Sequence, residues 1–257
     1  MFTTDEHESS PFAIIKGGKF DHEFIYIRDT DEAPKSAIKK LPIKFIHLDK
    51  DSKFEILPSP DIRVLYVAGP SGAGKSTLSA QYIDKFLALH PKSKFFVFSR
   101  LDKDPVIDAL KPKRIAITQD LVLNPIELED INKDSIVLFD DIDNISDKKI
   151  QTAVNIVKAQ ILEMGRHNNI NIVCTSHLIN GNEKSSARIM LNEMQALVIF
   201  PKSGSAHAIK YALKTQFGLS TTQMNQILNI DSRWIMLKKN YPQAILSEKD
   251  CLLASEL

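Results

Sequence analysis

Gly69-Pro70-Ser71-Gly72-Ala73-Gly74-Lys75-Ser76-Thr77 fits the pattern G-x-x-x-x-G-K-[ST]. A loop of this kind turns successive backbone N–H groups toward an anion, and it needs glycine where the main chain bends closely around phosphate. All nine residues belong to the predicted cradle: Gly69, Pro70, Ser71, Gly72, Ala73, Gly74, Lys75, Ser76 and Thr77. Lys75 is expected to reach the β- and γ-phosphates, and the Ser76 hydroxyl to ligate Mg²⁺. The flanks agree. Arg63-Val64-Leu65-Tyr66-Val67-Ala68 is a β-rich run leading straight into the loop. Behind it, residues 75–89 contain no Gly or Pro and repeat apolar side chains at Leu78, Tyr82, Phe86 and Leu89. Strand, glycine loop and amphipathic helix is the order this chemistry requires, because the helix N-terminus adds its dipole to the phosphate site.

Outward from the loop, apolar runs alternate with helical patterns. Lys94 to Phe98, Ser135 to Phe139, Ile170 to Thr175 and Ala196 to Phe200 read as strands buried on both faces. Asp147 to Arg166 reads as a helix with Ile150, Val154, Val157, Ile161 and Met164 on one stripe. The fold class is therefore α/β, with a helix-flanked, mainly parallel sheet. Before Asp61, short β-prone runs (Phe12 to Ile15, Phe24 to Ile27, Ile43 to Ile46, Phe54 to Leu57) suggest a small antiparallel element behind a mobile tail of about ten residues. Gly17-Gly18 and Asp49 to Ser52 read as turns, and Pro34 to Lys40 as a linker or exposed loop. After Pro201, Ala206 to Thr215 and Thr221 to Leu228 suggest helices, and Trp234 to Leu237 with Tyr241 to Leu246 a closing hairpin. The expected divisions are 1–60 (tail and β element), 61–200 (P-loop core) and 201–257 (helices and hairpin).

Composition excludes several classes. The 257 residues are 43% hydrophobic and 25% charged, with a formal net charge of +1, as for an ordinary globular protein. Two cysteines, Cys174 and Cys251, indicate neither a disulfide framework nor a metal site. Cys174 lies in an apolar run and reads as a small buried hydrophobe. No apolar stretch approaches eighteen residues and the N-terminus is acidic and polar, so neither a membrane span nor a signal peptide is indicated. A reduced, intracellular setting is expected.

Asp140 and Asp141 follow the apolar strand Ile136 to Phe139. An acid at the carboxyl end of a strand beside a phosphate loop is where Mg²⁺ is held, and the second acid can polarise water. Asp140 is thus assigned to the metal and Asp141 to the base, against the plainer reading of an acidic turn. Asp143 and Asp147 suit the loop and a helix start. Ile172 to Thr175 leads into Ser176 and His177, which either cap a strand end or sense the γ-phosphate. Arg166 either completes a helix C-terminus as a cation or serves as an arginine finger to a neighbouring subunit; Arg188 and Arg100 are lesser candidates. Lys111, Lys113 and Arg114 in a Pro-containing loop, and Lys238-Lys239, are either solvated surface or contacts to nucleic-acid phosphate. The loop Asn180 to Lys184 is a candidate projection toward the centre of a ring.

Taken together, the motifs resemble the FtsK–HerA superfamily of DNA-pumping ATPases, most closely its poxvirus-type branch of viral genome-packaging ATPases. The resemblance rests on Gly69 to Thr77, on Phe139-Asp140-Asp141, and above all on Met164-Gly165-Arg166-His167-Asn168-Asn169-Ile170-Asn171-Ile172 before a strand ending Thr175-Ser176-His177. It covers Asp61 to Phe200. It implies a RecA-like P-loop core, ATP and Mg²⁺ as cofactors, a homo-oligomeric ring (pentamer or hexamer) and translocation of double-stranded DNA into a capsid through a capsid or portal protein. It also implies Arg166 acting between subunits, and a location in host cytoplasm or virion. Two departures stand out: many members carry Asp-Glu in place of Asp140-Asp141, and many end the sensor strand in Gln where this chain has His177. No nuclease domain is evident.

In the implied cycle Lys75 and the loop hold the phosphates, and Ser76 and Asp140 hold Mg²⁺. Asp141 orients water, His177 senses the γ-phosphate and Arg166 stabilises developing charge. The loop also resembles the opening of a guanylate kinase, but no nucleotide-monophosphate segment follows between Phe95 and Ile136. An AAA-type remodeller would carry a helical lid where Trp234 to Leu246 reads as β. A scaffold that binds ATP without hydrolysing it has no use for Asp140, Asp141 and Arg166 together.

Overall fold

Apolar, β-branched segments of five or so residues cannot satisfy their backbone groups alone and must pair; the pairing in this chain is seen in a computed structural model. It describes residues 1–4, 10–27, 43–177, 179 and 186–257. In chain order the strands and helices are β1 (Phe2–Thr3), β2 (Pro11–Lys16), β3 (Phe24–Ile27), β4 (Phe45–His47), β5 (Lys53–Ile56), β6 (Val64–Ala68), α1 (Lys75–Leu89), β7 (Phe95–Ser99), α2 (Pro105–Asp108), β8 (Lys113–Ala116), α3 (Asp120–Leu123), β9 (Ile136–Asp140), α4 (Lys148–Met164), β10 (Asn171–Ser176), α5 (Ser186–Glu193), β11 (Ala196–Ile199), α6 (Ala206–Phe217), α7 (Thr221–Leu228), β12 (Ile235–Lys238), β13 (Ala244–Ser247) and β14 (Asp250–Leu253).

The chain forms two units, residues 63–195 and residues 1–62 with 196–257. The first contains a parallel sheet in the order β6-β10-β9-β7-β8. Strands β6, β7 and β9 are buried along their whole length, which is why they read as continuous rather than alternating apolar runs. Phe98 and Phe139 stack on neighbouring strands with ring centroids 4.8 Å apart, a contact worth about 0.5–1.5 kcal/mol beyond its area. Helix α1 buries Leu78, Tyr82, Ile83 and Phe86; Leu89, expected on that stripe, is exposed. Helix α4 begins where Asp147 caps it, its carboxylate accepting from the N–H groups of Lys149 and Ile150, a typical N-cap arrangement. The helix buries Val154, Val157 and Ile161 as predicted, with Lys158 and Leu162 beside them, while Met164 is exposed.

The second unit pairs β4-β14-β13-β12-β11 as one antiparallel sheet and β1-β3-β2-β5 as another. The sequence reading kept the two termini apart, at 1–60 and 201–257. Pairing of Phe45 with Leu252 and of Ile46 with Cys251 draws residues 45–47 away from the other N-terminal strands and joins them to the C-terminal ones. The predicted hairpin is present with a third strand, β14, added to it. Strand β11 runs antiparallel to β12. The expected mobile tail also needs correcting at its start: Phe2 is fully buried and pairs with Ile27. The predicted loops at Pro34 to Lys40 and Asn180 to Lys184 lie outside the described residues.

Candidate nucleotide site

The loop from Gly69 to Gly74 joins β6 to α1 with a left-handed bend. Gly72 has φ +75° and Gly74 φ +105°, conformations that cost a residue with Cβ roughly 1–2 kcal/mol or more. A Cβ added at Gly72 would meet nothing within 4 Å, so the requirement there is the backbone angle and not crowding. The loop is tied to the adjacent strand where Gly69 N–H donates to the Ser176 carbonyl at 3.0 Å. Lys75 opens α1 with its side chain buried, and its ammonium donates to the carbonyls of Gly69 at 3.0 Å and Pro70 at 3.4 Å.

Strand order decides what else converges here. Strand β10 lies between β6 and β9, so the residue after β10 emerges between the phosphate loop and the acid pair. His177 places Nδ1 3.4 Å from Lys75 Nζ and Nε2 3.2 Å from Asp141 Oδ2. Asp141 Oδ2 is also 3.5 Å from Lys75 Nζ. Lys75, Asp141 and His177 thus form a closed polar triangle at the carboxyl ends of three parallel strands, where α/β sheets place their ligands.

Asp140 sits one step deeper. Its carboxylate accepts from Ser99 Oγ at 3.1 Å and from Thr175 Oγ1 at 3.0 Å. Burial is the largest influence on it and holds the carboxyl above its usual range; the two hydroxyls oppose this, and the charges of Asp141 and Asp104 add to it. Asp141 adopts the left-handed conformation, φ +47°, and its N–H donates to Thr175 Oγ1 at 2.9 Å. A strained non-glycine residue held by a buried hydroxyl is a pattern found at functional sites. Ser99 escaped the sequence reading; its one signal is that it alone is polar in the run Phe95-Phe96-Val97-Phe98-Ser99.

The donors present fit Mg²⁺, a hard cation that takes oxygen ligands and keeps several waters beside one or two protein groups and phosphate. Asp140 and Ser76 could supply those two groups. Among the described residues no three His, Cys, Asp or Glu side chains gather as a self-sufficient metal site.

No model of a known protein family matches the chain. The uncharacterised protein V3 of the Sputnik virophage is 43% identical over 242 residues, which cover 94% of each chain. The chain belongs to the family of this virophage protein. Among solved structures, the cytoplasmic domain of the type VII secretion ATPase EccC from Thermomonospora curvata superposes with a TM-score of 0.50 at 11% identity, over 81% of this chain and 28% of that one. The DNA-packaging ATPase B204 of Sulfolobus turreted icosahedral virus gives 0.47 at 14% identity, over 74% and 98%. The first likeness establishes the shared α/β fold. That fold is of the α/β class expected from the motifs, and the relative is a virophage protein.

Arg166 does not join the triangle. It lies in a 3-10 turn (Gly165–Asn168) after α4, near Arg63, whose guanidinium is disfavoured first by burial and then by the like charge of Arg166, against the opposing charge of Glu193. Arg63 immediately precedes β6, whereas the phosphate loop follows it. The five residues of β6 separate the two ends by about 17 Å at ~3.3 Å per residue. Arg166 is exposed and, among the described residues, forms no ion pair or side-chain hydrogen bond. Arg63 itself donates to the carbonyls of Ile161 and Leu162 at 3.3 and 2.6 Å, doing the helix-terminating task that had been an alternative for Arg166.

Two basic clusters are corrected. Lys113 and Arg114 belong to strand β8 and not to a loop. Arg114 is engaged by Asp108 and by the Leu101 carbonyl, and Lys113 lies over the Phe96 ring. Lys238 is buried, and its ammonium donates to the Asn240 carbonyl at 3.2 Å. A side chain already satisfied inside the protein has little to offer a DNA phosphate. Nothing is described of the Arg188 side chain. Burial pushes the Cys174 thiol up to about 12, as befits a small core residue. Among the described residues no helix is long and apolar enough to cross a membrane.

Proposed function

We propose that this protein is an ATP-hydrolysing motor that assembles as a ring and moves double-stranded DNA, packaging a viral genome into a capsid. The observation that carries the reading is the convergence of Lys75, Asp141 and His177 around one glycine-lined loop. In the proposed site the loop N–H groups and Lys75 hold the ATP phosphates, and Ser76 and Asp140 hold Mg²⁺, which would neutralise charge on the β- and γ-phosphates. Asp141 and His177 attend the attacking water. Arg166 is at the wrong end of its own sheet to reach this site, which supports its acting on a neighbour's nucleotide and hence a shared-site ring. The DNA cargo and the capsid or portal partner follow from the FtsK–HerA resemblance, with the virophage relative in keeping with a viral setting and a location in host cytoplasm or virion.

The test is steady-state ATP hydrolysis with and without duplex DNA, using wild type doped with Arg166→Ala. A motor with shared sites is stimulated by DNA and loses activity faster than the mutant fraction rises. Turnover that ignores DNA and falls linearly with dilution would overturn the reading.

A further inference from the structure

We propose that His177, rather than Asp141, accepts the proton of the attacking water, and that Asp141 positions the imidazole. This rests on reading the site as an ATP hydrolase, and it departs from a scheme in which the second acid is the base and the strand-end residue only a sensor.

The Asp141 carboxylate is committed through Oδ2, which lies 3.2 Å from His177 Nε2 and 3.5 Å from Lys75 Nζ. Its backbone is held by the bond from its N–H to Thr175. An aspartate is also one methylene shorter than a glutamate. It is well placed to hold a ring and poorly placed to reach past it.

The ring has the complementary property. With Nε2–H donated to Asp141, the neutral imidazole carries its lone pair on Nδ1. Nδ1 faces the Lys75 ammonium at 3.4 Å. That ammonium is the group expected to move onto the terminal phosphates, and its departure leaves the Nδ1 lone pair unoccupied beside the phosphoryl group. The His177 side chain is 34% exposed, enough for water to reach it. Lys75 from α1 and Asp141 from the turn after β9 are the charged groups that the described residues set against the ring. The arrangement is an acid–imidazole dyad, in which a carboxylate fixes the tautomer and steadies the imidazolium that forms.

In the step itself, the water oxygen forms a bond to the γ-phosphorus while the bond from that phosphorus to the bridging oxygen breaks. ADP departs with the electron pair. One water proton moves to Nδ1, where the charged ring is balanced by Asp141, and it returns to solvent once phosphate leaves.

The experiment compares kcat for MgATP hydrolysis from pH 5 to 9 in wild type, His177→Gln and the double variant Asp141→Glu/His177→Gln. Binding of a fluorescent ATP analogue is measured in each. Removal of a general base costs about 10²–10⁴-fold. His177→Gln is therefore expected to lose at least about 10²-fold in kcat with nucleotide affinity within about threefold, and to lose the acid limb of the wild-type profile. Ionisation of ATP is common to all three proteins and cancels in the comparison. The longer carboxylate of the double variant is expected to recover at least about tenfold, because it restores a reaching base. If His177→Gln keeps kcat within about threefold with the same acid limb, His177 is not the proton acceptor. Should the variant fail to bind nucleotide, a wild-type kcat that is flat from pH 8 to 5 overturns the proposal by itself. Wild type that binds ATP without hydrolysing it sinks the hydrolase reading and this inference together, whereas hydrolysis indifferent to His177 sinks only the latter.

Discussion

Replacing Thr175 by Val removes one hydroxyl and keeps nearly the same shape, so its effect isolates the node that ties β10 to the acid pair. That hydroxyl accepts from Asp141 N–H at 2.9 Å and donates to Asp140 Oδ1 at 3.0 Å. A hydrogen bond to a charged group contributes about 1.5–3 kcal/mol and one between neutral groups about 1 kcal/mol. Water can replace part of the loss at Asp141, which is half-buried, but not at Asp140, which is 6% exposed. A net cost of about 2–3 kcal/mol follows, equivalent to a fall in Tm of roughly 4–12 °C for a chain of this size. The assay is thermal unfolding without nucleotide or Mg²⁺, with Thr175→Ser as the partner variant. Serine restores the hydroxyl and is expected to recover most of the loss. If Thr175→Val melts within about 1 °C of wild type, the hydroxyl is not holding the acids. If Thr175→Ser falls as far as Val, the methyl group matters and the hydrogen-bond argument is wrong.

Asp140→Asn is expected to abolish turnover yet raise Tm at pH 7.5 in the absence of Mg²⁺. Burial lifts the carboxyl of Asp140, so its favourable contribution is full below the unfolded value and lost as pH rises through the folded one. Its charge is thus a net cost at neutral pH, and the gap between variant and wild type should narrow as pH falls toward 4; a gap that widens on acidification would contradict this. The buried hydroxyl of Ser79 has no hydrogen-bond partner among the described residues, so Ser79→Ala should be neutral or raise stability by about 1 kcal/mol, and a clear loss in urea unfolding would show that the hydroxyl is satisfied after all. Gly74→Ala places a Cβ at φ +105° and should cost about 1–2 kcal/mol while weakening binding of a fluorescent ATP analogue. Unchanged affinity would mean that the loop tolerates another backbone path.

Much of the site was legible because its parts are local. A phosphate loop is nine consecutive residues whose glycines answer a backbone requirement, and the flanking strand and helix declare themselves by hydrophobic period alone. Asp140 and Asp141 stand out as candidates for the same reason, as acids ending an apolar run, and Asp147 is the cap expected of it within one turn of its helix. The elements went astray where pairing partners are distant in sequence. Strand β4 looks like its N-terminal neighbours and yet pairs with β14, and β8 was hidden in a lysine-rich segment because an edge strand needs few apolar residues.

What the sequence by itself determined, then, is that this chain sets a glycine loop before a helix N-terminus, an arrangement suited to a phosphate, and follows it with an acid pair, since each of those features is set by residues within a few positions of one another. Tertiary structure alone decided which strand lies between the loop and the acids. Apolar strands of similar length are interchangeable to local periodicity, and only side-chain packing across the whole sheet selects β6-β10-β9. That order brings His177 between Lys75 and Asp141, and it sends Arg166 to the end of the sheet remote from its own glycine loop.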